Sequence, residues 1–171
     1  MQIQMKFERG KTNGKKATGF SLIELLIVVA IILIIAAIAI PNLIKSKMAA
    51  NESSAVGSIR TINTGEVNYA ASCPGVGYSV SLAEMNTGAV CVGGKGIIDN
   101  TLGAAASKKS GYTFGYTAVA GGDALNDTYT VIGTPATVGT TGQRQFFSDQ
   151  TGVIRYALSG TGVTVASSPL Q

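Results

Sequence analysis

The hydrophobic and polar positions divide the chain into two contrasting parts. From Phe20 to Ile40 the only polar residues are Ser21 and Glu24, whereas shorter and more varied patterns follow Pro41. At about 1.5 Å of rise per residue, a helix over this first stretch would be roughly 31 Å long, enough to cross the hydrocarbon core of a bilayer. We therefore expect residues 20–40 to form a membrane-spanning helix.

Apolar residues recur at helical spacing directly after Pro41. Their steps of three, four or seven positions place them on one face of an amphipathic helix. Gly57 and Gly65 weaken that helix by up to about 1 kcal/mol each relative to Ala, and they also allow bending or a close neighbour. The sequence thus predicts one long helix from Phe20 to Tyr69, amphipathic over residues 41–69. The apolar stripe consists of Ile44, Met48, Ala55, Ile59 and Ile62.

The segment of residues 70–110 carries the signals of a helix end and of two short helices. Cys73, Pro74 and Gly75 form a turn signal that stops the long helix. Ser81 stands three residues before Glu84, which is the pattern of a capping box at the start of a helix. Residues 99–106 are expected to hold a further helical turn.

From Gly111 onward the composition shifts to Thr, Tyr, Val, Phe and Gly, which is typical of short strands joined by turns. Such strands would form an antiparallel meander over residues 111–171, packed on the stripe of the long helix. The sequence therefore predicts an α+β fold. The expected strands are Tyr112–Val119, Tyr129–Ile132, Arg144–Phe147, Val153–Tyr156 and Val163–Val165, with a hairpin loop at Ser148–Gly152.

The net charge of +4 lies entirely before Phe20. Residues 1–19 carry five basic side chains and one acidic side chain, while the rest carries eight of each sign. The basic balance therefore does not indicate a nucleic-acid-binding surface. Because basic flanks stay in the cytoplasm, it predicts an N-terminus inside the cell and everything after Pro41 outside.

The two cysteines, Cys73 and Cys91, both fall on the exported side. In an oxidising compartment a disulfide between them is the favoured interpretation, and two buried free thiols are the alternative. A metal site is poorly supported, since the chain has no histidine and two thiols are an incomplete ligand set.

No constellation of catalytic residues emerges, and we expect neither an enzyme nor a cofactor. Without histidine, the common acid–base and Ser-His schemes are unavailable. The run Gly93–Gly96 lacks the spacing of a phosphate-binding loop. Asp123, Asp127 and Asp149 could offer oxygens to calcium, but surface turn residues are the favoured interpretation.

The position of Gly19 does not fit an ordinary secretory signal, in which the small-residue cleavage site follows the apolar region. The segment Lys16–Glu24 resembles the processing site of type IV prepilins and of the related pseudopilins. That resemblance implies cleavage between Gly19 and Phe20 by a membrane peptidase, with N-methylation of the new first residue, Phe20. It further implies that Glu24 is the helix-borne glutamate that sets subunit register and that Pro41 kinks the helix. Residues 1–19 would then be a leader peptide.

The resemblance implies a pilin fold and two classes of function, and a third class applies if the N-terminal motif is accidental. The favoured class is a structural subunit of a type IV pilus, which polymerises through its apolar helix into a helical filament of identical chains. The second is a pseudopilin of a type II secretion system, and the third is a membrane-anchored exported binding domain. The implied partners are the prepilin peptidase and the inner-membrane assembly machinery. The precursor would cross the inner membrane once, before assembly into an extracellular pilus or a periplasmic pseudopilus.

Overall fold

The computed structural model describes residues 19–89, 96–105, 107–122, 125–159 and 162–170. The chain folds as two units, Met1–Ile40 and Pro41–Gln171. A single long helix, α1 (Leu22–Ser72), contributes residues to both units. Two short helices and an antiparallel sheet follow it, so the expected α+β fold is confirmed.

Helix α1 is 51 residues long and begins directly after Ser21, whose carbonyl accepts a 3.2 Å hydrogen bond from the N–H of Leu25. It continues through Pro41 and ends at Ser72, so it starts two residues later and ends three residues later than expected. After it, the carbonyl of Cys73 accepts hydrogen bonds from the backbone N–H groups of Val76 and Gly77. These bonds close the turn that the Pro-Gly signal predicts.

The two short helices begin at the caps that their sequences indicate. Helix α2 (Leu82–Thr87) starts after Ser81, whose hydroxyl oxygen accepts a 3.1 Å hydrogen bond from the N–H of Glu84. Helix α3 (Asn100–Gly103) starts after Asp99, whose carboxylate accepts a 2.8 Å bond from the N–H of Leu102. Each cap satisfies a backbone donor that the first helical turn leaves without an intrahelical partner.

The sheet is a meander in which each described strand pairs antiparallel with the next. Its longest pairing joins the second and third strands, with Tyr116 opposite Val131. The strands are β1 (Lys108–Lys109), β2 (Tyr112–Ala120), β3 (Asn126–Pro135), β4 (Arg144–Asp149), β5 (Arg155–Leu158) and β6 (Ser168–Pro169).

The stripe of α1 and the inner face of the sheet form one hydrophobic core in the second unit. Ala55, Ile59 and Ile62 are fully buried there, whereas Ile44 is 43% exposed, so including Ile44 in the packed stripe was wrong. Among the described residues, Asn51 is the first of α1 to hydrogen bond to the segment between β3 and β4, at the carbonyl of Thr141. The sheet contributes Tyr112, Phe114, Tyr129, Val131, Phe146 and Ile154 to this core.

The expected strand Val163–Val165 is not formed. Val163 donates its N–H to a side-chain oxygen of Gln145, and the carbonyl of Thr164 accepts the N–H of Ser167 in a turn. The N–H of Val163 and the carbonyl of Thr164 are therefore already hydrogen bonded outside a sheet. The strand that pairs with β5 is β6. The short strand β1, which pairs with β2, was not foreseen either.

Glu52 fastens the start of β4 to α1. One carboxylate oxygen accepts the backbone N–H groups of Gln143 (2.8 Å) and Arg144 (3.2 Å). The other accepts Nε of Arg144 at 2.8 Å and lies 2.7 Å from a terminal guanidinium nitrogen. Burial alone would raise the pKa of Glu52, but the hydrogen bonds from Gln143 and Arg144 outweigh it and hold the pKa below its ordinary value.

We predict that removing Glu52 lowers the free energy of unfolding more than removing Arg144 does. Glu52→Ala should lower the free energy of unfolding by about 2–3 kcal/mol, because two backbone N–H groups lose their acceptor. Arg144→Ala should cost about 1 kcal/mol, since that side chain is 39% exposed and solvent screens its charge. Urea denaturation of the detergent-solubilised protein measures both. The exposed Lys108→Ala is the control, and equal losses from the two variants would contradict this account.

Candidate processing and assembly site

The peptide bond between Gly19 and Phe20 lies outside regular structure. Gly19, Phe20 and Ser21 precede the first residue of α1, and all three are exposed. A Cβ built on Gly19 would meet no atom within 4 Å. A peptidase can therefore reach this bond without unwinding the helix. The expected leader residues before Gly19 lie outside the described part of the chain.

Glu24 lies in the first turn of α1 and is exposed. A carboxylate there interacts favourably with the positive end of the helix dipole. Within the described residues, its side chain makes no hydrogen bond or ion pair. The carboxylate is therefore free to meet a group that this chain does not supply.

The apolar part of α1 in the first unit is exposed among the residues that the structure describes. It is long and apolar enough to cross a membrane, and no residue of its most apolar 18-residue stretch is buried. Leu22, Leu25, Leu26 and Val29 recur at helical spacing and line a shallow apolar groove of about 290 Å³. Side chains of another helix can enter a groove of this kind.

Two comparisons with known proteins gave matches. Residues 14–40 match the family model described as the prokaryotic N-terminal methylation motif. The chain carries the prepilin-type N-terminal methylation motif. It is 49% identical over 51 residues to the type IV major pilin protein PilA of Myxococcus xanthus, which covers 30% of this chain and 23% of that protein.

A second curated relative is the type IV wide pilus major component PilA4 of Thermus thermophilus. The identity is 56% over 39 residues, covering 23% of this chain and 30% of that protein. The chain thus aligns with less than a third of the length of each of these relatives. No solved structure was found to match the chain.

The methylation motif ends at Ile40, where the first unit also ends. Pro41 follows inside the continuous helix α1. Proline removes one helical hydrogen bond and crowds the preceding turn. The kink expected at Pro41 stays a prediction.

The other predicted site residues are dispersed. Cys73 is buried at the end of α1, while Cys91 lies outside the described residues, so their pairing stays a prediction. Asp149 accepts hydrogen bonds from the N–H and hydroxyl of Thr151, which is the role of a turn residue. Asp127 is exposed, and Asp123 lies outside the described residues. No cluster of three metal-binding side chains exists among the residues that the structure describes.

Sequence reasoning missed the third carboxylate on α1, Glu66. It is fully buried, and its two oxygens accept the N–H (2.9 Å) and the hydroxyl (2.6 Å) of Ser79. The hydroxyl of Tyr116, on β2, donates to the carbonyl of Ser79 at 2.8 Å. Ser79 therefore connects α1 and β2. A signal was available, because Glu66 stands four residues after Ile62 and three before Tyr69, on the apolar stripe itself.

The electrostatics of this cluster differ from those of Glu52. Burial raises the pKa of Glu66, and the hydrogen bonds from Ser79 and Tyr116 only partly offset that rise. Burial and the neighbouring Glu66 raise the pKa of Tyr116 and of Tyr129 in turn. No arginine or lysine is hydrogen bonded to Glu66 among the described residues. Protonation of Glu66 is therefore easier than that of an exposed glutamate.

We predict that Glu66 makes stability fall as pH rises. Because the folded pKa is raised, its contribution is fully present below the ordinary value of 4.5 and is lost as pH rises through the folded pKa. Glu66→Gln removes this titration while keeping the shape. The wild type should therefore lose stability relative to Glu66→Gln as pH rises. Urea titrations at several pH values, followed by near-ultraviolet circular dichroism of the six tyrosines, measure the difference.

Subtracting the stability of Glu66→Gln from that of the wild type at each pH cancels the contribution of Glu52. The lowered pKa of Glu52 changes stability with pH in the opposite direction. The matched control is Asp127→Asn, which neutralises an exposed carboxylate. Parallel pH profiles for the wild type and Glu66→Gln would show that the buried carboxyl does not titrate as proposed.

Proposed function

We propose that this chain is a structural subunit of a type IV pilus, which polymerises through its apolar N-terminal helix after cleavage by a prepilin peptidase. The observation that carries the proposal is the uncovered apolar surface of α1 within the methylation motif. Such a surface needs an apolar environment from outside the chain. A membrane provides it before assembly, and the helices of other copies provide it in a filament.

The proposed sequence of events starts with a precursor that spans the inner membrane once. The basic flank stays in the cytoplasm, and the second unit is exported. Cleavage between Gly19 and Phe20 removes the leader and leaves an amine on Phe20, which is then methylated but remains a base. The accessible position of this bond, before the first turn of α1, supports that order.

Glu24 is proposed to select the register of assembly. If the helix extended back to Phe20 after cleavage, its amine and Glu24 would stand at positions i and i+4, about 6 Å apart along the axis. In a filament, the glutamate of an assembled subunit can pair with the amine of the incoming one. Each charge would carry a desolvation penalty alone in an apolar core, and pairing reduces it. The apolar surface then supplies attraction, and the charge pair selects the position.

A pseudopilin of a type II secretion system would share the motif and the helix. The pilus is favoured because the two curated relatives are both named as major components of type IV pili. A membrane-anchored binding domain is disfavoured, because it would leave Glu24 and the processing motif without a role.

The first test of this function is processing. N-terminal sequencing and intact mass should show a chain that starts at methylated Phe20. Gly19→Leu should block the cut, because the larger side chain changes the residue at which the peptidase cleaves. Gly10→Leu, in the same basic segment but outside the motif, is the matched control and should be processed normally. A chain that assembles with its leader attached would refute the proposal.

The location of the assembled product separates the two filament classes. A pilus subunit should be abundant in filaments sheared from the cell surface, whereas a pseudopilin should stay with the cell envelope. If the protein is processed normally but is absent from sheared filaments, it would be a pseudopilin rather than a pilus subunit.

The second test concerns Glu24. Glu24→Ala and Glu24→Gln should leave insertion and cleavage intact but reduce filament yield sharply, because the incoming amine loses its partner. Glu24→Asp should be intermediate, since it keeps the charge on a shorter side chain. The control is Asp127→Ala, which removes an exposed carboxylate far along the sequence. Filament yield equal to the wild type from processed Glu24→Ala protein would remove this role.

A further inference from the structure

Two lysines stand at the start of the second unit without a partner. Lys45 and Lys47 follow Pro41 by four and six residues, and both are exposed on α1. Neither makes a hydrogen bond or an ion pair with any described residue. They are thus positive charges that the fold itself does not use.

The acidic side chain nearest along the helix does not neutralise them. Glu52 lines the same cleft as Lys45, but both of its oxygens are occupied by Arg144 and the backbone beside it. This cleft, of about 260 Å³, therefore holds two cations and one carboxylate. The start of the second unit consequently presents a net positive charge.

The position of the lysines along α1 corresponds to the polar layer of a membrane. Four to six residues of helix after Pro41 correspond to about 6–9 Å of rise. The headgroup region on each side of a bilayer is roughly 5–8 Å thick. Leu43 and Ile44, just before the lysines, are exposed apolar residues of the kind that lies at the boundary with the hydrocarbon.

The helical geometry indicates what kind of partner can reach both lysines. Side chains two positions apart on a helix are rotated by about 200° around its axis, so they lie on nearly opposite faces. A protein docked on one face of α1 would therefore reach one lysine and miss the other. A layer of lipid headgroups surrounds the helix and reaches both.

We propose that Lys45 and Lys47 bind the phosphates of anionic phospholipids in the outer leaflet of the membrane that the precursor spans. This inference rests on the proposed membrane-spanning precursor. The lysines hold the start of the second unit at the headgroup layer, and leaving the membrane for a filament requires these contacts to break. The five basic side chains before Phe20 outnumber the two lysines, so the orientation of the helix is preserved.

The test uses the full chain reconstituted in vesicles of phosphatidylglycerol and phosphatidylcholine. Electron paramagnetic resonance of spin-labelled lipids measures the association of each lipid with the protein. A basic residue at an anionic surface favours association about fivefold. The double variant Lys45→Gln with Lys47→Gln should therefore reduce the preference for phosphatidylglycerol at least fivefold, and added salt should shrink this difference.

The matched control is Arg60→Gln with Lys108→Gln, which removes two exposed positive charges elsewhere in the second unit. The control should keep the preference of the wild type, including the part that the leader contributes. An equal loss in both double variants would overturn the proposal, as would an unchanged preference in Lys45→Gln with Lys47→Gln. Lost filament yield with unchanged lipid preference would assign the lysines to another copy of the chain and also overturn it.

Membrane insertion of each variant, measured by resistance to carbonate extraction, separates this proposal from the proposed function. Failure of the wild type to insert would refute the membrane-spanning precursor itself. Normal insertion without a preference for phosphatidylglycerol would refute only the role of the lysines.

Discussion

The constraint on which the rest depends is an apolar helical surface that the chain does not cover. Within the first unit, no residue of the most apolar stretch of α1 is buried. At about 25 cal/mol per Å², leaving so much apolar surface in water is strongly unfavourable. The segment must therefore always be covered from outside, by lipid or by other helices. The accessible bond before it and the unpaired Glu24 within it acquire roles from that requirement.

Three carboxylates on one helix show how environment assigns different roles to the same group. Glu24 is exposed and unpaired among the described residues, so it is available to another molecule. Glu52 is held charged by an arginine and two backbone donors. Glu66 is buried, which raises its pKa more than its hydrogen bonds from hydroxyl groups lower it. The first is proposed to act in assembly, whereas the other two make contacts within the second unit.

The elements with local signals could be predicted from the sequence, and the long-range contacts could not. The apolar run, the cap at Ser81 and the turn residues between strands each specify structure within a few positions. The partner of Glu52, in contrast, stands 91 residues away, at Gln143. Val163–Val165 was mistaken for a strand because its β-branched residues outweighed a turn formed through Thr164 and Ser167. Ile44 was assigned to the core since periodicity does not reveal where the sheet stops.

The internal contacts of the second unit explain how a subunit can change its surroundings without refolding. Its core, the Glu52 contact and the Glu66 cluster all join residues within Pro41–Gln171. None of them uses a residue of the apolar segment, so exchanging lipid for neighbouring helices does not alter them. In the proposed assembly, the groups that would meet a new environment are the amine end, Glu24, the apolar side chains and the two lysines after Pro41. Stability and assembly would then be encoded in separate parts of one helix, and substitutions in one part should leave the other largely unaffected.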